Sequence, residues 1–251
     1  MARAIARRGH DVAIYTTNFD GASDLDVPLD TPVDLGGVTA RYYAVQAPRF
    51  WETSFALGRA LDAAVGDYDL VHLHSLYMYH DRAAGNACLR HGVPYIVRPH
   101  GTLDPFIRKR HRARKAVLEL WFQNRVLRNA AALHYTAEDE WRLAAPYALN
   151  PRGFVVPNGI DPDEFADLPA KGAFRARHPE IGDRKIVLFL GRLNFKKGLD
   201  LLAPAFGRLL RDGHDAHLVI AGGDEDMAEK TRGWLAEAGA LDRTTFTGIV
   251  S

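Results

Sequence analysis

The sequence has almost no cysteine, because Cys88 is the only one in 251 residues. A single cysteine cannot form an intramolecular disulfide, which excludes a disulfide scaffold and a cysteine-rich zinc module. The chain also lacks the run of roughly 20 apolar residues that a membrane-spanning helix needs. Its first residues do not have the charged, apolar and cleavable regions of a signal peptide. We therefore expect a cytoplasmic protein.

The chain has little net charge and lacks three common nucleotide and hydrolase motifs. It has 32 Lys and Arg against 31 Asp and Glu, a net charge of +1, so its overall charge indicates no nucleic-acid or acidic partner. It contains no Gly-x-Gly-x-x-Gly, no Walker loop and no Gly-x-Ser-x-Gly. These absences argue against a dehydrogenase, a P-loop NTPase and an α/β-hydrolase.

Short apolar runs rich in β-branched residues alternate with helix-like segments along the whole chain. The predicted strands are residues 12–16, 38–45, 70–73, 95–97, 132–135, 154–156, 186–190, 218–221 and 245–248. The predicted helices include residues 53–65, 82–90, 117–128, 199–211 and 227–238. This alternation predicts an α/β protein with doubly wound parallel sheets covered on both faces.

Two proline-containing turn clusters, residues 150–153 and 157–162, bracket the strand at 154–156 and predict a domain linker. We place the domains at residues 1–155 and 156–251, with Pro157, Asn158 and Gly159 as the hinge between them. Only three strands are predicted after the linker, whereas doubly wound units usually have five or six. The second domain is therefore expected to be incomplete.

The segment 185–200 reads as a buried strand, Gly191, and a short loop that carries Arg192 and Lys197 before a helix. Ligands bind at the carboxyl ends of parallel strands. The planar fork of arginine and the mobile charge of lysine suit a diphosphate, and a helix N-terminus adds amide donors. The alternative is that both cations lie on a solvated loop without a ligand.

Gly191, Arg192, Lys197 and Gly198 resemble the donor-phosphate loop of retaining GT-B glycosyltransferases, a family 4-like group also described as glycosyl transferases group 1. Residues 8–12, 98–102 and 156–161 resemble three further segments of that family, in the same order. The resemblance implies a GT-B fold, in which two Rossmann-like domains face a cleft. It also implies truncation at both ends, since the family's first strand and its acidic Glu-x7-Glu segment have no counterpart here.

The resemblance further implies transfer of a sugar from a UDP-, GDP- or ADP-sugar to an acceptor hydroxyl, with retention of configuration. The acceptor would be a carbohydrate or lipid-linked molecule in polysaccharide or glycolipid biosynthesis, docked on the N-terminal domain near His100. The implied site residues are His100 as the catalytic residue, Arg192 and Lys197 on the donor diphosphate, and Gly101, Gly191, Gly222 and Gly223 lining the donor site. A nucleotide-sugar epimerase of the same fold and a catalytically inert binding fragment stay open as alternatives.

Two features could indicate a metal, but we predict neither a metal nor another cofactor. His72 and His74 point to one face of a strand, although the segment has no third ligand, and such pairs more often pack internally. Asp224 to Asp226 matches an Asp-x-Asp metal motif, but its position before a helix favours Asp224 as an N-cap. The resembled family generally needs no metal.

A basic run from Arg108 to Lys115 precedes apolar residues spaced for one helical face: Val117, Leu118, Trp121, Phe122 and Val126. Such a segment could make peripheral contact with the anionic inner face of a membrane. The other interpretation is a polar segment before a helix that faces the core. Nucleic-acid binding is not expected, because no aromatic residues interleave with the charges.

Overall fold

The computed structural model describes residues 1–21, 23–150 and 152–250. The chain divides into two compact units, Met1–Ile160 and Asp161–Ser251. The boundary predicted after residue 155 lies slightly earlier than this division. Pro151, which belongs to the first predicted turn cluster, lies outside the described residues.

The first unit alternates strands with helices. Its strands are β1 (Ala13–Thr17), β2 (Phe19–Asp20), β3 (Ser23–Asp24), β4 (Pro32–Asp34), β5 (Thr39–Tyr43), β6 (Val71–His74), β7 (Tyr95–Arg98), β8 (Ala132–Tyr135) and β9 (Gly153–Val155). Its helices are α1 (Ala2–Ala6), α2 (Phe55–Ala64), α3 (Tyr79–His91), α4 (Pro105–Lys109), α5 (Arg112–Leu118), α6 (Asn124–Asn129) and α7 (Glu138–Ala144). A π-helical turn, Glu119–Gln123, joins α5 to α6.

A four-stranded parallel sheet in the order β6-β7-β8-β9 positions the candidate site of this unit. A second sheet pairs β1 with β5 in parallel and adds β4 antiparallel, and β2 with β3 forms a small antiparallel pair. Both larger sheets contribute to one core, with Tyr43 from one and Leu73, Val97 and Leu133 from the other. Cys88 on α3 is completely buried in this core, and burial raises the pKa of its thiol to about 11.

The apolar stripe predicted on residues 117–128 is wrong in part. Phe122 and Val126 are buried as expected, but Val117 is 64% exposed and Trp121 is 56% exposed. Val117 and Trp121 are four residues apart and so are Phe122 and Val126, so each pair lies on its own side of the helical segment. The helical segment therefore presents an apolar face to the core and leaves other apolar residues outside.

The second unit has a three-stranded parallel sheet in the order β10-β11-β12. Its elements are α8 (Ala173–Arg177), β10 (Lys185–Leu190), α9 (Leu199–Arg211), β11 (Ala216–Ala221), α10 (Ala228–Glu237) and β12 (Thr244–Gly248). Its separate core includes Leu199, Phe206, Leu218, Ile220 and Leu235. In either unit, none of the helices within the described residues is both long and apolar enough to span a bilayer.

Candidate functional site

Four histidine side chains form a row, which we call the file, near the carboxyl ends of β6, β7 and β8. In order they are His134, His72, His74 and His100. His134 Nε2 lies 2.9 Å from the carbonyl oxygen of Val156, and its Nδ1 lies 3.3 Å from His72 Nε2. The rings of His72 and His74 lie 4.5 Å apart, and His74 Nδ1 lies 3.0 Å from His100 Nε2. Because a carbonyl only accepts, His134 Nε2 donates to Val156.

Three of these histidines, His72, His74 and His100, have pKa values below their usual value. Burial, together with the neighbouring His134, Arg98 and His100, lowers the pKa of His72 to about 4. Burial and the same neighbourhood of basic groups also lower the pKa values of His74 and His100. At pH 7 these three side chains are therefore uncharged imidazoles, which can donate or accept hydrogen bonds.

The file is not arranged as a metal site. Its rings follow one another, with centroids 5.2 Å apart for His72 and His134 and for His74 and His100, so their nitrogens do not converge on one point. In residues 1–21, 23–150 and 152–250, no group of three or more His, Cys, Asp or Glu side chains could hold a metal ion. The prediction that no metal is needed stays a prediction.

His100 and Gly101 form a sharp turn after β7. Their φ angles are 53° and 73°, in the left-handed region that glycine tolerates and histidine seldom adopts. Gly101 N donates to Glu140 Oε1 over 2.8 Å, and the other carboxylate oxygen accepts from the Thr136 amide and hydroxyl over 2.7 and 2.8 Å. Burial alone would raise the pKa of Glu140, but these hydrogen bonds and His100 lower it, so Glu140 is a carboxylate that fixes the turn.

His100 and Gly101 line an open cavity of about 350 Å³. The other lining residues are Leu103, Asp104, Thr136, Glu140, Leu143, Ala144 and Asn158. Two carboxylates and the neutral histidine provide hydrogen-bond partners for a ligand rich in hydroxyl groups. This cavity brings together three residues that the sequence singled out: His100, Gly101 and Asn158.

Asn158 forms a hydrogen bond with a buried side chain of the first unit. Arg98 is 4% exposed, and its Nη2 donates to Asn158 Oδ1 over 2.5 Å. Arg98 Nε is buried and has no hydrogen-bond partner among the described residues. Pro157 and Gly159 flank Asn158 but do not line the cavity. The hinge role of the three residues stays a prediction.

In the second unit, Gly191 and Gly222 bring two loops into contact at the carboxyl ends of β10 and β11. Gly191 N donates to Ala221 O over 2.9 Å, and Leu193 N donates to Gly223 O over 2.8 Å. A Cβ atom on Gly222 would lie 2.0 Å from the carbonyl oxygen of Gly191, so only glycine fits there. The three glycines predicted to line the donor site in this unit therefore lie close together.

Arg192 and Lys197 lie on the loop that follows Gly191. The side chain of Arg192 is 72% exposed, and its Nη1 lies 2.5 Å from Glu225 Oε1. Asn194 Nδ2 donates to the other oxygen of Glu225 over 2.7 Å, and the bonds from Asn194 and Arg192 lower the pKa of that carboxyl. Lys197 is exposed and ends the 3-10 turn Phe195–Lys197, just before α9 begins.

The N-cap residue of α10 is Met227, not Asp224 as the sequence predicted, but the Asp224 side chain accepts hydrogen bonds from the amides at this helix end. Asp224 Oδ1 accepts from Met227 N over 2.9 Å and from Ala228 N over 2.8 Å. This carboxylate is therefore engaged with the N-terminal end of α10.

Sequence reasoning missed Glu140, Arg98, His134, Glu225 and Asn194. One signal for His134 was available, because it occupies the same position near the end of its strand as His74 does on β6. The bonds that Arg98 and Glu225 make join segments 60 and 33 residues apart, and no local pattern reveals such partners.

Comparison with known proteins identifies two family models that together span most of the chain. The model described as Glycosyltransferase Family 4 matches residues 1–164, and the model described as Glycosyl transferases group 1 matches residues 170–251. An uncharacterized glycosyltransferase of Methanocaldococcus jannaschii is 25% identical over 100% of this chain and 64% of its own length.

A second curated relative and a solved structure are also similar. A GDP-mannose-dependent phosphatidylinositol monomannoside mannosyltransferase of Mycobacterium tuberculosis is 36% identical over 38% of this chain and 25% of its own length. The structure of Anabaena HepE in complex with UDP and glucose superimposes with a TM-score of 0.63 at 15% identity, covering 84% of this chain and 56% of that one. The chain thus spans less than two thirds of each of these proteins.

Proposed function

The chain belongs to glycosyltransferase family 4, and from this premise we propose that the protein transfers a sugar from a nucleotide-diphosphate donor to an acceptor hydroxyl with retention of configuration. The observation that carries the proposal is the loop with Arg192 and Lys197, which extends from the carboxyl end of a parallel strand. The similar proteins whose descriptions name UDP or GDP-mannose support a nucleotide-sugar donor.

The second unit would bind the donor diphosphate. Arg192 can give two parallel hydrogen bonds to phosphate oxygens, and Lys197 adds a second positive charge. The first amide groups of α9, a helix of 13 residues, add donors next to that lysine. As the sugar leaves, negative charge grows on the diphosphate, and these fixed groups stabilise it.

The first unit would bind the acceptor. The cavity beside His100 offers the Glu140 and Asp104 carboxylates and a neutral imidazole, a set that suits the hydroxyl groups of a carbohydrate. Within this proposal His100 contacts the reacting sugars, and a carbohydrate or lipid-linked acceptor donates the hydroxyl. We place the activity in the cytoplasm, in polysaccharide or glycolipid synthesis and without a metal ion.

Titration with UDP, GDP and ADP tests the donor site. We expect at least one of them to raise the melting temperature, and Arg192→Ala and Lys197→Ala each to weaken its binding about tenfold, since hydrogen bonds between charged groups contribute about 1.5–3 kcal/mol. Isothermal calorimetry would measure the affinities. Arg208→Ala is the matched control, because Arg208 is also an exposed arginine of the second unit, 80% exposed on α9.

The donor site is rejected if no nucleotide binds, or if Arg192→Ala binds as tightly as the unchanged chain. Chromatography of the products then separates the alternatives. A new glycoside whose anomeric configuration matches the donor supports a retaining transferase. Conversion of the donor sugar without an acceptor indicates an epimerase, and binding without turnover indicates an inert fragment.

A further inference from the structure

The first unit exposes a group of apolar residues that no described part of the chain covers. We call it the aromatic face; it consists of Phe50, Phe55, Val117, Leu120 and Trp121, which are 65%, 54%, 64%, 86% and 56% exposed. Such residues normally lie singly on the surface of a soluble protein, and a contiguous group marks an interaction site.

Ring contacts connect Trp121 and Phe55 of the aromatic face through two more enclosed rings. The ring centroid of the half-buried Trp51 lies 5.5 Å from that of Trp121 and 5.5 Å from that of the buried Tyr79, which in turn lies 5.9 Å from Phe55. Trp51 Nε1 donates to the carbonyl of Tyr77 over 2.8 Å, which fixes the ring. Leu120 and Val117 extend the face along the helical segment that carries Trp121.

Arginine side chains lie directly on this face. The Arg82 guanidinium lies 4.8 Å from the ring centroid of Trp121, and the Arg114 guanidinium lies 5.3 Å from that of Phe50. Lys109, Arg110 and Arg112 are exposed on the same basic run.

The other two cations of the run serve the fold. Arg108 pairs with Glu119 over 3.0 Å, and Lys115 Nζ donates to Ile107 O over 2.7 Å. The run therefore contains two cations with internal contacts, Arg114 in contact with the aromatic face, and three further exposed cations.

A second cavity of about 350 Å³ opens beside Phe55 and Tyr79. Arg59, Arg82 and Arg90 line it together with Gly58, Asp62, Ala83 and Asn86. Its one carboxylate, Asp62, already accepts from Arg90 and contacts His91 at 3.3 Å. Three arginines against one aspartate make the cavity attractive to an anion the size of a phosphate.

We propose that the aromatic face and its arginine-lined cavity dock the first unit on an anionic phospholipid membrane. Leu120 and Trp121 would enter the boundary between headgroups and acyl chains, and a headgroup phosphate would occupy the cavity between Arg59 and Arg82. A second copy of the chain fits less well, since a twofold contact would bring the same excess of arginines from both copies together. The inference extends the proposed function but does not depend on transferase activity.

Co-sedimentation with lipid vesicles tests the proposal. We expect the chain to bind vesicles of phosphatidylcholine that contain phosphatidylglycerol, to bind pure phosphatidylcholine much more weakly, and to dissociate as salt is raised. Leu120→Glu should lower the partition coefficient about tenfold. It removes apolar area that the membrane would bury, and it adds a negative charge that anionic lipids repel. Leu201→Glu is the matched control, since Leu201 is a leucine of the second unit that is 72% exposed.

The double substitution Arg59→Ala with Arg82→Ala tests the headgroup cavity. It should also lower binding to the anionic vesicles about thirtyfold, since each arginine near the surface contributes about 1 kcal/mol and about 1.4 kcal/mol is tenfold. The paired control is Arg142→Ala with Arg208→Ala, which removes two arginines that are 74% and 80% exposed elsewhere. Circular dichroism would confirm that each variant is folded.

Three results would overturn the proposal. One is no binding to anionic vesicles at low salt, and another is equal loss in the control variants. The third is a dimer in analytical ultracentrifugation that Leu120→Glu dissociates while vesicle binding is unchanged, which would assign the face to a second copy. None of these results bears on nucleotide binding, so the membrane proposal and the proposed function can fail separately.

Discussion

Three histidines of the first unit have pKa values that are lowered by burial and by the same neighbouring basic groups. His72, His74, His100 and His134 lie within hydrogen-bonding or ring-contact distance of their neighbours, and the buried Arg98 guanidinium is close enough to lower the pKa values of the first three. A proton on His72, His74 or His100 would be repelled by Arg98 and poorly solvated. The imidazole at His100 is therefore available to a ligand as a neutral hydrogen-bonding group.

Lowering the pH should destabilise the first unit. Unfolded histidines take up protons near pH 6.5, whereas His72 in the folded chain has a pKa of about 4. Between these values the unfolded state binds more protons, so the free energy of unfolding falls as the pH is lowered from about 6.5 toward 4. His72→Gln should flatten this dependence, and urea unfolding at a series of pH values would measure it.

His214→Gln is the control for that experiment, because His214 is exposed and lies in the second unit. We expect the free energy of unfolding of His214→Gln to depend on pH as that of the unchanged chain does. The explanation fails if His72→Gln shows this same dependence.

Sequence patterns singled out candidate residues that follow one another along one short segment. Gly191, Arg192 and Lys197 were located because a strand, a glycine and two cations follow one another. Glu140 could not be found in this way, since it reaches Gly101 across 39 residues of sequence. The contact of Asn158 with Arg98 depends in the same way on the fold, although the turn that contains Asn158 was predicted.

At the scale of elements, the parallel sheets were predicted well and the helix surfaces less well. All nine predicted strands are present, and the chain has the predicted GT-B fold class. Apolar β-branched runs define such strands because both faces of the sheet are covered. The π-helical turn before α6 was not predicted.

Because the loops after β10 and β11 are in contact, we expect substitutions of the adjacent Gly222 and Gly223 to lower the free energy of unfolding by different amounts. Gly222→Ala should lower the free energy of unfolding of the second unit by about 2–4 kcal/mol, because Gly222 has a φ of 144° and its added Cβ would overlap the Gly191 carbonyl. Gly223→Ala should cost less than about 1 kcal/mol, since its Cβ would meet only Ile249 at 3.4 Å. Chemical denaturation of both variants tests this, and equal losses would contradict it.

At the scale of the whole molecule, the two units have separate hydrophobic cores. The buried cluster of the first unit and that of the second have no residue in common. Each cluster contains fully buried large side chains, such as Leu57 in the first and Leu218 in the second. Each unit therefore has the apolar core that an independent unfolding transition requires.

Two thermal transitions should be visible by differential scanning calorimetry. Leu57→Ala, which removes a side chain that is 1% exposed, should lower one transition, with a loss of about 2–5 kcal/mol. Gly222→Ala should lower the other. A single transition that both substitutions shift equally would show that the units unfold together.

The burial of Cys88 has a practical consequence for studying this molecule. Because the only thiol of the chain is fully enclosed and has a raised pKa, labelling reagents should react with it slowly. One cysteine introduced on the surface of each unit could then carry a spin label without background from the native thiol. Electron paramagnetic resonance between the two labels would measure the distance between the units directly, with and without a nucleotide.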